Sequence, residues 1–170
     1  MQIRAAVVTV SDKASRLERI DTSGPLVAER LGAIAEVVEL ALVPDEPAQL
    51  SATLVRLADQ VDLVITTGGT GLAPRDQTPE ATLAVLDRLV PGIPELLRRE
   101  GARHTPTSAL SRGVAGQRGQ CLIINLPGSL SAVTEGMDTL LPILPHALQM
   151  AQGIDLEHHD HAAMGDAHAP

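Results

Sequence analysis

One stretch in the middle of the chain constrains the fold more than any other. Val61–Thr66 is a short β-branched run, Thr67–Gln77 is a glycine-rich loop, and Thr78-Pro79-Glu80 opens a helix with Thr at the N-cap, Pro at N1 and an acid in the first turn. A strand that passes through a glycine loop into a helix is the unit of an α/β fold, and the rest of the chain repeats it. Ile3–Val10 reads as a buried strand, Ser11–Ser23 as a polar loop, and Ser23-Gly24-Pro25 as the start of a helix with Ser23 as N-cap, ending near Gly32. Ala35–Val43 reads as the second strand, and Leu50, Leu54 and Leu57 recur at helical spacing over Ala48–Asp59. The stripe Leu83, Leu86, Leu89 and Val90 extends the helix begun at Thr78. A helix is expected around Glu95–Arg103, a short helix or loop over Thr105–Ser111, and a strand over Gln120–Leu126. The last helix runs from about Leu130 to Gln152, bent at Pro142 and Pro145. This alternation predicts an α/β domain over 1–153 with a parallel, doubly wound sheet and helices on both faces, and a His-rich flexible tail over 154–170.

Composition narrows the function. The net charge of −8 does not supply the cationic footprint of a general nucleic-acid binder, and no apolar run is long enough to span a membrane. The N-terminal run reads as a strand and not a signal peptide, and the single Cys121 has no internal disulfide partner, so a cytoplasmic protein is expected. There is no Phe, Trp or Tyr, so a planar ligand must lie against aliphatic side chains, an arginine plane, histidine or backbone. Lys13 is the only lysine, so the glycine loop is no Walker A motif.

Ligands of doubly wound sheets bind where loops leave the C-terminal strand ends, and four such loops carry chemical groups. In Thr66-Thr67-Gly68-Gly69-Thr70-Gly71, the glycines allow backbone N–H groups to converge on an anion, and Thr70 adds a hydroxyl. The helix starting at Thr78 aims its positive end at the same space, with Glu80 in its first turn. Arg75 is suited to gripping a phosphate and Asp76 to holding a cation that bridges phosphates. Asp45 follows the second strand and by itself reads as a turn or helix-capping residue before it reads as a site acid; Ser11 and Asp12 follow the first strand and read as ligand contacts or a loop cap. Pro127-Gly128-Ser129 is a second strand–turn–helix junction that reads as an anion site or a tight turn, and Ser111 offers a hydroxyl or a surface cap. The tail residues His158, His159 and His161 with Asp160 suit adventitious metal binding.

Seven motifs, in order and at their spacing, resemble the Mog/MoaB family. They are Ser-Asp-Lys-Ala-Ser at 11–15, Asp-Thr-Ser-Gly-Pro at 21–25, Val-Pro-Asp-Glu at 43–46, Thr-Thr-Gly-Gly-Thr-Gly at 66–71, Pro-Arg-Asp-Gln-Thr-Pro-Glu-Ala-Thr at 74–82, Leu-Ser-Arg at 110–112 and Asn-Leu-Pro-Gly at 125–128. That family includes molybdopterin adenylyltransferase and the G domains of plant and animal molybdenum-cofactor proteins such as gephyrin. The resemblance covers residues 3–153 and implies a three-layer α/β/α sandwich with a mostly parallel sheet, usually a homotrimer and sometimes a hexamer. It implies adenylylation of molybdopterin by Mg-ATP with release of pyrophosphate, Asp45 and Asp76 as the essential acids and Mg²⁺ holders, and a molybdenum insertase as the partner that takes the product. It also implies that Gly68–Gly71 hold the pterin's phosphate end, while Ser111 and Pro127–Ser129 line the site. Ser129 and Leu130 depart from the Asn-Pro of many members, and Arg16–Arg19 from their glycine-rich first loop. The rival reading is a molybdopterin-binding or scaffold protein with little transferase activity.

Overall fold

The computed structural model describes residues 2–154, so the tail beyond Ile154 lies outside the described residues. Six strands form one sheet in the order β2-β1-β3-β6-β5-β4. The strands are β1 (Arg4–Val10), β2 (Glu36–Val43), β3 (Leu63–Thr67), β4 (Arg88–Leu89), β5 (Ala115–Arg118) and β6 (Cys121–Leu126). β2, β1, β3 and β6 are mutually parallel, while β5 pairs antiparallel with both β6 and β4. The helices are α1 (Asp12–Ser15), α2 (Ser23–Leu31), α3 (Pro47–Ala58), α4 (Thr78–Leu83), α5 (Gly92–Ala102), α6 (Leu130–Leu140) and α7 (Leu144–Ala151).

The parallel strands are continuous apolar runs because both faces are covered. Every residue of β3 and β6 is buried, and alternate side chains feed separate cores. Val7, Ile65 and Ile124 pack with Val27 of α2, Ile93 of α5, Met137 of α6 and Leu148 of α7. Val8, Val64 and Ile123 pack with Leu50, Leu54 and Leu57 of α3 and with Ala81 of α4. The expected three-layer α/β/α sandwich, with a mostly parallel sheet, is therefore what forms. Cys121 lies in the second core, where burial pushes its thiol up to about 12 and leaves it inert. Among the described residues no helix is long and apolar enough to cross a membrane.

Several local expectations are corrected. The helix begun at Thr78 does not run on to Val90. It ends at Leu83, and Asp87 N–H turns to the carbonyl of Gln117 (2.8 Å), which starts the antiparallel pairing of β4 with β5. Leu83 and Leu89 are consequently 44% and 58% exposed, so their helical spacing does not mark a core stripe. β5 itself was not expected; it forms a hairpin with β6 through Gly119-Gln120, and sheet pairing overrides the local helical pattern. The loop after β1 contains the single turn α1. Ser23 is the first residue of α2 and not its cap; the Asp21 carboxylate accepts the N–H groups of Ser23 and Gly24 (both 3.1 Å). Thr78 likewise lies inside α4, which Gln77 precedes as N-cap. The last helix is two helices, α6 and α7, since Pro142 and Pro145 each remove a backbone donor at their junction.

Candidate active site

The strand order places a switch point between β1 and β3. From β1 the chain moves outward to β2, then crosses back to β3 on the other side of β1, and a crevice opens at the C-terminal ends of these strands. Gly68 closes its floor. Its φ is +95°, its N–H donates to the carbonyl of Leu126 (3.1 Å), and a Cβ there would stand 2.3 Å from the carbonyl oxygen of Val10. Only glycine lets the loops after β1, β3 and β6 meet this closely. A Cβ on Gly128 would lie 3.1 Å from the Cα of Gly68, so these two backbones form a low ridge.

The ridge divides the crevice into two lobes that share Gly68, Gly128 and Ser129. The smaller, about 690 Å³, is walled by Thr9, Ser11, Asp21, Ser23 and Thr67. These are tied to one another: Thr9 Oγ1 donates to Asp21 Oδ2 (2.7 Å), and the hydroxyls of Ser23 and Thr67 are 2.6 Å apart. The larger, about 870 Å³, is walled by Gly69, Thr70, Gly71, Asp76, Ser111 and Glu135. At its mouth the N–H groups of Gly69, Thr70 and Gly71 make no backbone hydrogen bond within the described residues. Three consecutive unused donors beside a cleft form an anion cradle. The N–H of Thr78, by contrast, donates to the carbonyl of Gly69 (3.1 Å), so the first turn of α4 pins the loop.

An acidic corner adjoins the cradle. Asp12 and Asp45 hold each other reciprocally: Asp12 N–H donates to Asp45 Oδ2 (2.8 Å), and Asp45 N–H to Asp12 Oδ1 (3.0 Å). Arg75 grips both oxygens of Asp12 (2.6 and 3.0 Å), the Asp45 carbonyl (3.2 Å) and Glu46 (3.1 Å). The guanidinium holds the Asp12 carboxyl below its ordinary value, and Asp12 and Glu46 raise that of Arg75. Asp45 goes the other way. Burial pushes its carboxyl up, as do the charges of Asp12 and Asp76, against the opposing Asp12 N–H. Asp76 accepts from Ala73 N–H (3.0 Å), and a Cβ on Gly71 would meet its Oδ2 at 2.8 Å. Among the described residues no group of three or more His, Cys, Asp or Glu could hold a metal unaided. The donors fit a small divalent cation held by one or two carboxylates together with phosphate oxygens, and two mutually repelling acids beside an anion cradle suit that arrangement.

The structure brings Ser11, Thr67, Gly68–Gly71, Asp76, Ser111, Pro127, Gly128 and Ser129 to the cleft wall. Asp12, Asp45 and Arg75 form the corner beside it, with Arg75 turned toward the acids. Thr78 is not on the wall: it is 1% exposed, its hydroxyl has no partner among the described residues, and it occupies the space that a Cβ on Gly69 would need. Glu80 faces Arg112, which holds its carboxyl below the ordinary value.

The sequence named Asp21, Arg112 and Asn125 only as members of motifs, with no individual task, and did not single out Glu135. Arg112 staples the glycine loop: its N–H donates to the Thr70 carbonyl (2.9 Å), Nε to that of Gly71 (2.8 Å), and Nη2 to that of Asp76. Asn125, 2% exposed, donates to Thr66 Oγ1 (2.9 Å) and Thr82 Oγ1 (3.0 Å) and accepts from Val114 N–H (3.2 Å), locking β3, α4 and β6 together. An amide inside the apolar run Cys121–Leu126 was the available signal, because a buried polar group requires partners.

Known proteins resemble the chain over this whole framework. The profile of a family described as a probable molybdopterin binding domain matches residues 6–146. The molybdopterin adenylyltransferase of Helicobacter pylori is 38% identical over 156 residues, 89% of each chain. That of Escherichia coli is 42% identical over 141 residues, 80% of this chain and 72% of the relative. The crystal structure of the molybdopterin biosynthesis enzyme MoaB from Thermus thermophilus superposes with a TM-score of 0.85 at 52% identity, covering 89% of this chain and 98% of that one. On sequence and on structure alike, the chain belongs to the MoaB/Mog family of molybdopterin-binding domains.

Proposed function

We propose that this chain is a molybdopterin adenylyltransferase of molybdenum-cofactor biosynthesis, joining AMP from ATP to the terminal phosphate of molybdopterin and releasing pyrophosphate. The carrying observation is the run of unused N–H groups at Gly69–Gly71, in the larger lobe next to the ridge that joins it to the smaller one and beside the Asp45–Asp76 corner. A phosphate cradle in one lobe, with a second lobe across the Gly68–Gly128 ridge, suits a reaction that unites two phosphate-bearing molecules, and the names of the bacterial relatives agree with it.

A phosphate oxygen of molybdopterin attacks the α-phosphorus of ATP; the new P–O bond forms as the bond to pyrophosphate breaks. The nucleophile is already an anion, so no proton need be removed. Rate comes from positioning and from neutralising charge on the phosphoryl oxygens. In this reading the cradle N–H groups hold the oxygens, the Gly128–Ser129 turn borders both substrates, and Arg112 keeps the loop rigid. Asp45 and Asp76 would hold Mg²⁺, which supplies charge neutralisation to the triphosphate when bound. Assembly as a homotrimer and delivery of the product to a molybdenum insertase belong to the same proposal.

The test is transfer of label from α-labelled ATP to purified molybdopterin with Mg²⁺, comparing the native chain with Asp76→Ala. The native chain transfers AMP, and the variant, folded by circular dichroism, loses on the order of 10²–10³ in rate. Unchanged transfer by the variant refutes the assignment. A native chain that binds pterin without transferring AMP makes this a binding protein instead.

A further inference from the structure

Beyond the cradle the larger lobe narrows into a side pocket between α5 and α6. Its faces are aliphatic, from Pro94, Leu97, Leu126 and Pro127, and Arg98 and Glu135 are its only charged lining residues. Arg98 uses Nη1 on the carbonyls of Ser111 (3.3 Å) and Gly113 (3.2 Å), leaving its other guanidinium N–H groups without partners among the described residues. Glu135 is half-buried on α6, lines both the side pocket and the larger lobe, and has no ion pair or side-chain hydrogen bond to a described residue. Its carboxylate is therefore available to a ligand where the side pocket joins the larger lobe.

We infer that Glu135 selects the pterin ring, its carboxylate accepting the adjacent N3–H and 2-amino N–H groups of the 2-amino-4-oxopyrimidine edge. The inference rests on molybdopterin being the substrate. With no Phe, Trp or Tyr in the chain and no His lining this pocket, the faces of a ring bound here meet mainly aliphatic carbon, which distinguishes rings poorly. Identity must be read at the edge. Two donors side by side match the two oxygens of a carboxylate, whereas the amino edge of adenine sets a donor beside an acceptor. Glu135 therefore sorts the two substrates, admitting the pterin to the pocket and rejecting adenine. The unused N–H groups of Arg98 match the 4-oxo acceptor of the same ring.

The probes are neopterin monophosphate and the corresponding lumazine, in which an oxygen acceptor replaces the 2-amino group. Binding is read by ligand fluorescence, free of protein background because the chain has no Trp or Tyr. The native chain should bind the pterin at least about tenfold tighter than the lumazine. Glu135→Gln should lose at least about tenfold for the pterin and nothing for the lumazine, with Mg-ATP affinity and circular dichroism unchanged. A variant that keeps the native preference, or a native chain that shows none, overturns the role of Glu135. If the native chain meanwhile transfers AMP to molybdopterin, the transferase reading stands and only this assignment falls; if it neither transfers AMP nor binds a pterin, both fall.

Discussion

Replacing Gly68 by alanine should damage this protein far more than the same change at Gly119, and the difference measures how tightly the crevice floor is built. Both glycines have positive φ, +95° at Gly68 and +56° at Gly119. At Gly119 an added Cβ meets nothing within 4 Å, so Gly119→Ala bears only the left-handed backbone penalty of about 1–2 kcal/mol. At Gly68 the Cβ would stand 2.3 Å from the Val10 carbonyl oxygen, and neither partner is the end of a flexible side chain. Relief requires moving the end of β1 away from β3, adding roughly 1–3 kcal/mol for overpacking. The total for Gly68→Ala is about 2–5 kcal/mol, a large part of the ~5–15 kcal/mol that holds a domain together. At about 2–4 °C per kcal/mol for a chain of this size, Gly68→Ala should lower Tm by about 10 °C and Gly119→Ala by about 4 °C. The assay is thermal unfolding followed by far-UV circular dichroism, with AMP transfer on the same samples. Gly68→Ala should also lose most of its transfer activity, since the cradle begins at the next residue. Equal Tm losses for the two variants, with activity kept in both, would refute the steric reasoning.

Two further outcomes follow from the loop staple. Arg112→Lys keeps the charge but cannot reach the Gly71 and Asp76 carbonyls and Glu80 with one planar fork, so kcat/KM for AMP transfer should fall by at least about tenfold while Tm moves by only a few degrees; an unchanged kcat/KM would show that the staple does not order the cradle. Glu80 has its carboxyl held below the ordinary value by Arg112, so its stabilisation is fully present above the unfolded value near 4.5 and fades as pH falls through the lower folded value; the Tm gap between the native chain and Glu80→Gln should thus be constant from pH 7 to about pH 5 and close below about pH 4.5, and a gap that widens on acidification would reverse the assigned sign.

Much of the architecture was legible because the parallel core writes itself as unbroken apolar runs. Val7–Val10, Leu63–Ile65 and Cys121–Ile124 admit little else, and the helices over Leu50–Leu57 and Val27–Leu31 follow from spacing. The antiparallel end was hidden because β4 and β5 are short and hold Arg88, Gln117 and Arg118, whose strand character comes from pairing, β5 with β6 and β4 with β5, and not from local preference. Around the site, glycines and acids at strand ends announced the loops. Which side chain faces which loop was not legible: Arg75 meets Asp12 across 63 positions and Arg112 meets Glu80 across 32, distances that no local pattern encodes. Thr78 shows the converse, a residue whose place in a motif suggested ligand contact and which the fold buries beneath Gly69.

The charges of the acidic corner favour one kind of chemistry. Arg75 commits its fork to the Asp12 and Glu46 carboxylates, so Asp12 has a direct cationic partner, while the Asp45 carboxylate takes an N–H from Asp12, feels Arg75 only as its smallest charge effect and lies near the negative charge of Asp76. Burial and like charge both raise the Asp45 carboxyl, which in another enzyme would mark a proton-transfer residue. In phosphate attack on ATP there is no proton on the nucleophile for such a residue to remove. The same raised value has a second meaning, because a carboxylate short of positive charge gains most when a divalent cation and its triphosphate arrive. The corner thus completes its charge balance only with substrate bound, while the neighbouring N–H cradle carries no competing backbone hydrogen bonds to break. Acids and amides arranged in this way serve to place and neutralise phosphate oxygens, and the catalysis they support is electrostatic and positional, with no general base.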